Sequence, residues 1–158
     1  MAVHEQRSPE VDVVLRSVAG VWTGEDVEDL RSWLLALGSG PEVHEAVVLH
    51  CDRHDDSDAT WAYAEADASS GIARRRCLAC GAARSLLDSE QRWTHPPMWA
   101  CRGCRQSIAE LAVGLHLPDG RHVRWLALAA RCVHCGRLDG LTDALVADQP
   151  LDEVLSRL

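Results

Sequence analysis

Six of the seven cysteines in this chain stand as Cys-x-x-Cys pairs, at Cys77/Cys80, Cys101/Cys104 and Cys132/Cys135. A turn of this kind brings two thiolates within reach of one ion, and two such turns supply the four ligands of a tetrahedral metal site. No other feature constrains the fold as strongly, because every bound ion ties together segments that are distant in the chain. Composition makes such a cross-link valuable. Apolar residues reach 47% of the 158 positions, yet the aromatic share is 4% and Phe is absent. Ala, Val and Leu must fill the core, giving up part of the roughly 1.5–3 kcal/mol that each large buried side chain contributes.

All sixteen basic residues are Arg, and Lys and Asn are absent, a bias that fits GC-rich codons and suggests a bacterial source. No apolar run approaches the roughly 18 residues of a membrane span, and Met1–Arg7 lacks the apolar stretch of a secretory signal. A cytoplasmic location without membrane association is expected. In a reducing compartment paired cysteines hold metal more readily than lasting disulfides. The net charge of −8 conceals a segregation: residues 1–70 carry 4 Arg against 15 acids, residues 71–137 carry 11 against 4, and the tail from 138 carries 1 against 5. The basic stretch is the cysteine-rich one, so part of its charge can neutralise metal thiolates.

Along the chain, Ser8-Pro9-Glu10 reads as a helix start leading into Val11, Val14, Leu15 and Val18, with Gly20 ending it. Thr23-Gly-Glu-Asp26 offers a second cap ahead of Val27, Leu30, Leu34 and Leu37 at helical spacing, closed by Gly38-Ser-Gly-Pro41. Val47-Val-Leu49 suits a strand that delivers His50 and Cys51, and Asp55–Asp58 reads as a solvated acidic turn. Val123–Leu128 suits a strand running into the last cysteine pair. The segment after Cys104 fits two patterns, and a helix through Ile108, Leu111, Ala112 and Leu115, opened by Ser107-x-x-Glu110, is favoured over a strand. Pro150 introduces a short C-terminal helix through Leu151, Val154, Leu155 and Leu158. These elements divide the chain into an acidic helical segment (1–44), a metal-binding region with four knuckles (45–145) and a C-terminal helix (146–158). The expected class is α+β, a small zinc-stabilised domain of knuckles and short β-hairpins. One internal echo stands out: Arg76-Cys-Leu-Ala-Cys-Gly81 and Arg131-Cys-Val-His-Cys-Gly136 lie 55 residues apart, and Leu86/Leu141 and Asp88/Asp143 keep the register.

Cys77-Leu-Ala-Cys80-Gly, followed after twenty residues by Cys101-Arg-Gly-Cys104, has the ligand spacing of a closed four-cysteine site. These thirty or so residues resemble the zinc-ribbon and treble-clef zinc-finger superfamilies. The resemblance implies knuckle, loop and second knuckle, with the treble-clef version favoured if a helix begins near Cys104. The third pair, Cys132/Cys135, needs two more ligands, and Cys51-Asp-Arg-His54 has knuckle spacing with His in the last place; His50, His122 and His134 are the alternatives to His54. Eight ligands make two zinc ions. The favoured pairing is nested, joining Cys77/Cys80 to Cys101/Cys104 and Cys51/His54 to Cys132/Cys135. A tandem pairing of consecutive knuckles and a crossed pairing are the other two.

The pattern points to a non-enzymatic zinc module that regulates or adapts by binding another macromolecule, most plausibly a protein, in bacterial transcription or a related process. The acidic N-terminal part and tail suit a protein partner, with Trp22, Trp33 or Trp99 as anchors if exposed. Nucleic acid is the second reading, carried by Arg74, Arg75, Arg76, Arg84, Arg92, Arg102 and Arg105 with Trp93 and Trp99 available for stacking. A third is a redox switch in which Cys132/Cys135 releases its metal on oxidation. A fourth is a hydrolase using an open zinc at Cys51, Cys132 and Cys135 if His54 is not a ligand; no His-Glu-x-x-His or deaminase signature is present.

Overall fold

The structure, a computed structural model, describes residues 15–54 and 60–158. The first described elements are strands. Arg16–Val18 (β1) and Val21–Thr23 (β2) pair antiparallel around Ala19 and Gly20, whose φ angles of 52° and 77° reverse the chain as a two-residue hairpin turn does. This corrects the expected helix ending at Gly20: the glycine turns a hairpin, and the β-branched Val18 and Val21 flank it in strands. The earlier part of that expectation, Pro9 to Val14, and the acidic turn Asp55–Asp58 lie outside the described residues.

The second expected helix is present as Val27–Leu35 (α1). Asp26 caps it through its carboxylate on the Asp29 N–H, and Asp29 reaches back to the Asp26 N–H, a reciprocal box that satisfies two otherwise unpaired donors. Its apolar stripe, Leu30 and Leu34, is fully buried against Ala46, Ala112, Ala129 and Leu138. That stripe therefore belongs to the core.

The remaining strands are Glu45–Leu49 (β3), Trp61–Ala66 (β4), Ala73–Cys77 (β5), Ala83–Ser85 (β6), Ala109–His116 (β7), His122–Cys132 (β8) and Leu138–Pro150 (β9), and Leu151–Leu155 (α2) follows. Among the described residues they form one antiparallel sheet in the order β6-β5-β4-β7-β8-β9, with β3 also on β7. Strands β3 and β4 share one edge of β7: Leu49 pairs with Leu111, and Trp61 with Glu110. The chain therefore leaves the sheet after Leu49 and rejoins the same edge at Trp61, so β3 and β4 follow one another along β7. Strand β9 runs unbroken through residue 146, and α1 packs on β3, β7 and β8.

Strand β7 corrects the expected helix after Cys104, through Ile108, Leu111, Ala112 and Leu115. Leu111, Val113 and Leu115 point into the main core with Leu126, Leu128 and Val154, while Ala112 lies under α1 on the other face. At Gly114 a Cβ would stand 3.0 Å from Val43 Cγ1, so the helix side of this strand has no room for a larger residue. A strand buried on both faces shows no apolar–polar alternation, which is why its sequence imitates a buried helix. The molecule is thus mostly antiparallel sheet with few helices, and its interior consists mainly of Leu, Val and Ala, as the lack of Phe requires.

Candidate metal centres

Sheet register places the cysteine turns. Cys77 pairs with Ala62, Ala62 with Ala109, and Ala109 with Cys132, so Cys77 and Cys132 occupy one row across β5, β4, β7 and β8. Three strand spacings of about 4.8 Å separate them by roughly 14 Å. Two knuckles so held are too far apart to share an ion and close enough to form one end of the sheet.

Each knuckle is built by the same local logic. In the β5–β6 turn, Gly81 N–H donates to Cys77 O (2.9 Å) and Cys77 N–H to Ala82 O (2.9 Å); in the β8–β9 turn, Gly136 N–H donates to Cys132 O (2.8 Å) and Cys132 N–H to Arg137 O (2.8 Å). Gly81 and Gly136 take φ of 74° and 77°, a region open to glycine at little cost. The 55-residue echo is therefore one turn used twice. The knuckle at Cys101 repeats it with Arg105 N–H on Cys101 O (2.9 Å), and here Arg105 adopts the positive φ, 67°.

Among the described residues, two groups of side chains converge on potential metal positions: Cys51, His54, Cys77 and Cys80, and Cys101, Cys104, Cys132 and Cys135, each with its four donor atoms within 4.8 Å of one another. This is the tandem pairing, and it corrects the nested one. Knuckle 101–104 leads through Ile108 into β7, the neighbour of β8, and Val133 N–H bonds Ile108 O (3.1 Å), so it meets Cys132/Cys135. Cys51 and His54 lie in the loop leaving β3 beside β4 and β5, and meet Cys77/Cys80. All eight ligand candidates thus fall into the two groups. His50 and His134 are exposed and belong to neither, and His122 is engaged by Asp119 Oδ2 (2.7 Å).

The donor spacing suits a tetrahedral ion. Zn–S bonds of about 2.3 Å put ligand sulfurs about 3.8 Å apart along a tetrahedron's edges. Cys51 and Cys80 Sγ are 3.7 Å apart, Cys101 and Cys135 Sγ 3.5 Å, Cys104 and Cys132 Sγ 3.5 Å, and His54 Nε2 lies 3.1 Å from Cys77 Sγ. All seven cysteines are free of disulfides. The thiols are unequal without a cation. Burial, reinforced by the neighbouring cysteines, pushes Cys135 up to about 12, whereas Cys77 falls to about 6 because backbone N–H groups and His54 outweigh its burial. Four clustered thiols cannot all ionise unaided, and a bound cation would supply the missing charge.

Behind the second cluster lies an ion pair that sequence reading missed. Glu110 and Arg131, both buried, meet at 3.1 Å, and Arg131 also donates to Gly24 O (2.9 Å) and Glu25 O. Gly24 N–H in turn bonds Gly136 O (2.9 Å), and a Cβ on Gly136 would lie 2.6 Å from Gly24 O. The loop that starts α1 is therefore clamped to the knuckle. In the sequence Glu110 reads as part of a helix cap, and the signal for its actual role is the single Arg immediately before Cys132.

Most arginines of the nucleic-acid reading have internal partners. Arg74 bonds Glu65 Oε2 (2.6 Å) and stacks 4.2 Å from the Trp93 ring centroid; Arg76 reaches Gly81 O (3.2 Å); Arg92 makes a two-pronged contact with Asp88 (3.0 and 2.9 Å). Arg84 meets Asp52 (3.4 Å) and Ser156 O (2.7 Å). Arg102 and Arg105 are exposed on the second knuckle, and Arg75 is half-buried. Of the candidate anchors, Trp22 is exposed, while Trp33 and Trp99 are partly covered. A groove of about 520 Å³ between α1 and β8–β9 is lined in part by Trp33, Leu37 and Trp125.

No helix among the described residues is long and apolar enough to cross a membrane. No family model matches the chain, no curated protein matches it, and no solved structure matches it.

Proposed function

We propose that each cluster binds a zinc ion, that both ions are structural, and that the protein works by binding another macromolecule. The observation that carries this reading is ligand completeness. Each group offers four donors at tetrahedral separations, one set of four cysteines and one of three cysteines and a histidine, whereas a catalytic zinc keeps a position open for water or substrate. Soft thiolates in a tetrahedral set favour zinc over the harder divalent ions. The placement of two knuckles on the turns of antiparallel hairpins supports the zinc-ribbon likeness over the treble clef, since Ala109–His116 is a strand.

The test is metal content and its consequence. Native mass spectrometry of the purified protein should give two zinc ions per chain, and chelation should abolish the cooperative melt. An apo protein, verified as metal-free, that retains the full transition refutes a structural role. A single ion per chain removes one of the sites.

The macromolecular role rests on the acidic N-terminal segment and tail, which suit a basic protein surface, and on the engagement of Arg74, Arg76 and Arg92 within the chain, which weakens a nucleic-acid stripe. A regulator or adaptor of bacterial transcription is the role proposed. Affinity purification from the native cell, with and without nuclease, separates the cases. Partners that survive nuclease support the adaptor, and partners that vanish support nucleic acid.

A further inference from the structure

Two arginines face each other across neighbouring strands beside the first metal cluster. Arg75 on β5 and Arg84 on β6 are register partners, which brings their Cβ atoms to about 4.5–5.5 Å, a pairing that like charges destabilise. Arg75 follows the buried Ala73 and precedes the metal-cluster Cys77 on the same face of β5, where an apolar residue would be expected. Its Nε is buried without a hydrogen-bond partner, and Arg75 forms no hydrogen bond or ion pair among the described residues. Arg84 has only an exposed contact to Asp52 at 3.4 Å and a bond to Ser156 O. A half-buried guanidinium whose Nε is unpaired, opposite a second guanidinium, is a local conflict of the kind found at functional positions.

The space in front of the pair is large enough for a ligand. A polar pocket of about 420 Å³ is lined by Arg53, Arg75, Arg84 and Ser85 together with Asp52 and Glu90. A second hollow of about 220 Å³, with His50 on its wall, opens on the same two arginines. Guanidinium forks match the oxygens of a phosphate group, and binding one between them would replace repulsion by two charge-assisted contacts. Asp52 can yield Arg84 to such a group, since a 3.4 Å pair between exposed side chains holds weakly.

We propose that Arg75 and Arg84 form a binding site for a phosphate group, between residues 50–53 and the β5–β6 hairpin. The site adjoins the first metal cluster, whose Cys51 also lines the pocket, and stands whether or not a macromolecular partner is found. The phosphate can belong to a small phosphorylated molecule or to a nucleic-acid backbone, and the probes below distinguish the two.

The experiment titrates zinc-loaded protein with inorganic phosphate, and separately with a single-stranded oligonucleotide of about ten residues, at ionic strength held constant with chloride. Binding is followed by isothermal calorimetry and by NMR of the arginine Nε–H groups. Saturable phosphate binding at one site is expected, with the Arg75 Nε–H signal shifting. Arg75→Gln and Arg84→Gln should each weaken binding about tenfold or more, the loss of one charge-assisted contact, while Arg102→Gln, on the other cluster's knuckle, leaves it unchanged. Oligonucleotide binding no tighter than inorganic phosphate assigns a small ligand, and much tighter binding that is still lost in Arg75→Gln assigns a nucleic-acid backbone. No saturable binding at constant ionic strength overturns the proposal. So does binding that Arg75→Gln leaves intact. Zinc content is measured for every variant; loss of metal in Arg75→Gln with no phosphate binding in the unmodified protein shows instead that this arginine only balances the thiolates.

Discussion

The duplicated knuckle provides its own control for how the second metal centre is tied to the rest of the fold. Gly81 and Gly136 occupy the same turn position with nearly the same φ, but the space around them differs: a Cβ on Gly81 meets nothing within 4 Å, and one on Gly136 would lie 2.6 Å from Gly24 O. Alanine in the left-handed region costs about 1–2 kcal/mol, offset in part by the smaller entropy of its unfolded chain. Gly81→Ala should therefore destabilise by about 1 kcal/mol. Gly136→Ala carries the same backbone term and must also push the Gly24 carbonyl away. That motion breaks the Gly24–Gly136 hydrogen bond and the charged Arg131–Gly24 bond, worth about 1 and about 2 kcal/mol respectively. The total is about 4 kcal/mol, a large part of the roughly 5–15 kcal/mol that stabilises a typical domain. Urea unfolding of both variants at saturating zinc, with metal content verified, measures the difference. Equal destabilisation of the two variants, within about 1 kcal/mol, would refute the claim that the α1 loop is clamped to the knuckle.

Other outcomes follow from the same geometry. Cys77→Ala and Cys132→Ala should each lower the zinc content from two to one, because the clusters share no ligand; loss of both ions from either variant would contradict the tandem pairing. Glu110→Leu leaves Arg131 buried without its counter-charge and should cost about 3–5 kcal/mol in a denaturation assay; a change below about 1 kcal/mol would show that the Gly24 and Glu25 carbonyls suffice for the guanidinium. Arg105→Gly relieves a positive φ but loosens the unfolded chain, so its melting midpoint should change little, by less than about 1 kcal/mol in stability. Leu126→Ala, at a fully buried position on β8, should cost about 2–5 kcal/mol without changing zinc content.

The helix at Val27–Leu35 is legible in the sequence because its signals are local, a cap signal in Thr23–Asp26 and an apolar stripe at Leu30 and Leu34; the box itself forms one step later, at Asp26 and Asp29, because Thr23 belongs to β2. The hairpin at Arg16–Thr23 is not, because Gly20 stops a helix and turns a hairpin equally well. Strand β7 hides for a different reason, since burial on both faces removes the alternation that marks a strand. In the sequence Arg75 is one member of a basic run, and only its pairing with Arg84 across β5 and β6 sets it apart.

The spacing of the six paired cysteines marks them as metal-ligand candidates, because two thiols three residues apart in a tight turn form a local geometry that needs no knowledge of the fold. Spacing favours His54 but leaves His50, His122 and His134 as alternatives, and the convergence of His54 with Cys51, Cys77 and Cys80 makes the choice. Which turns converge on one metal position is a long-range question, answered by how the strands pair. The row Cys77–Ala62–Ala109–Cys132 sets the two hairpin knuckles three strands apart, the step from Cys104 into β7 carries its knuckle to Cys132/Cys135, and the loop after β3 carries Cys51 and His54 to Cys77/Cys80. Strand register, fixed by which side chains reach the core, does this selecting, and no spacing within the chain encodes it.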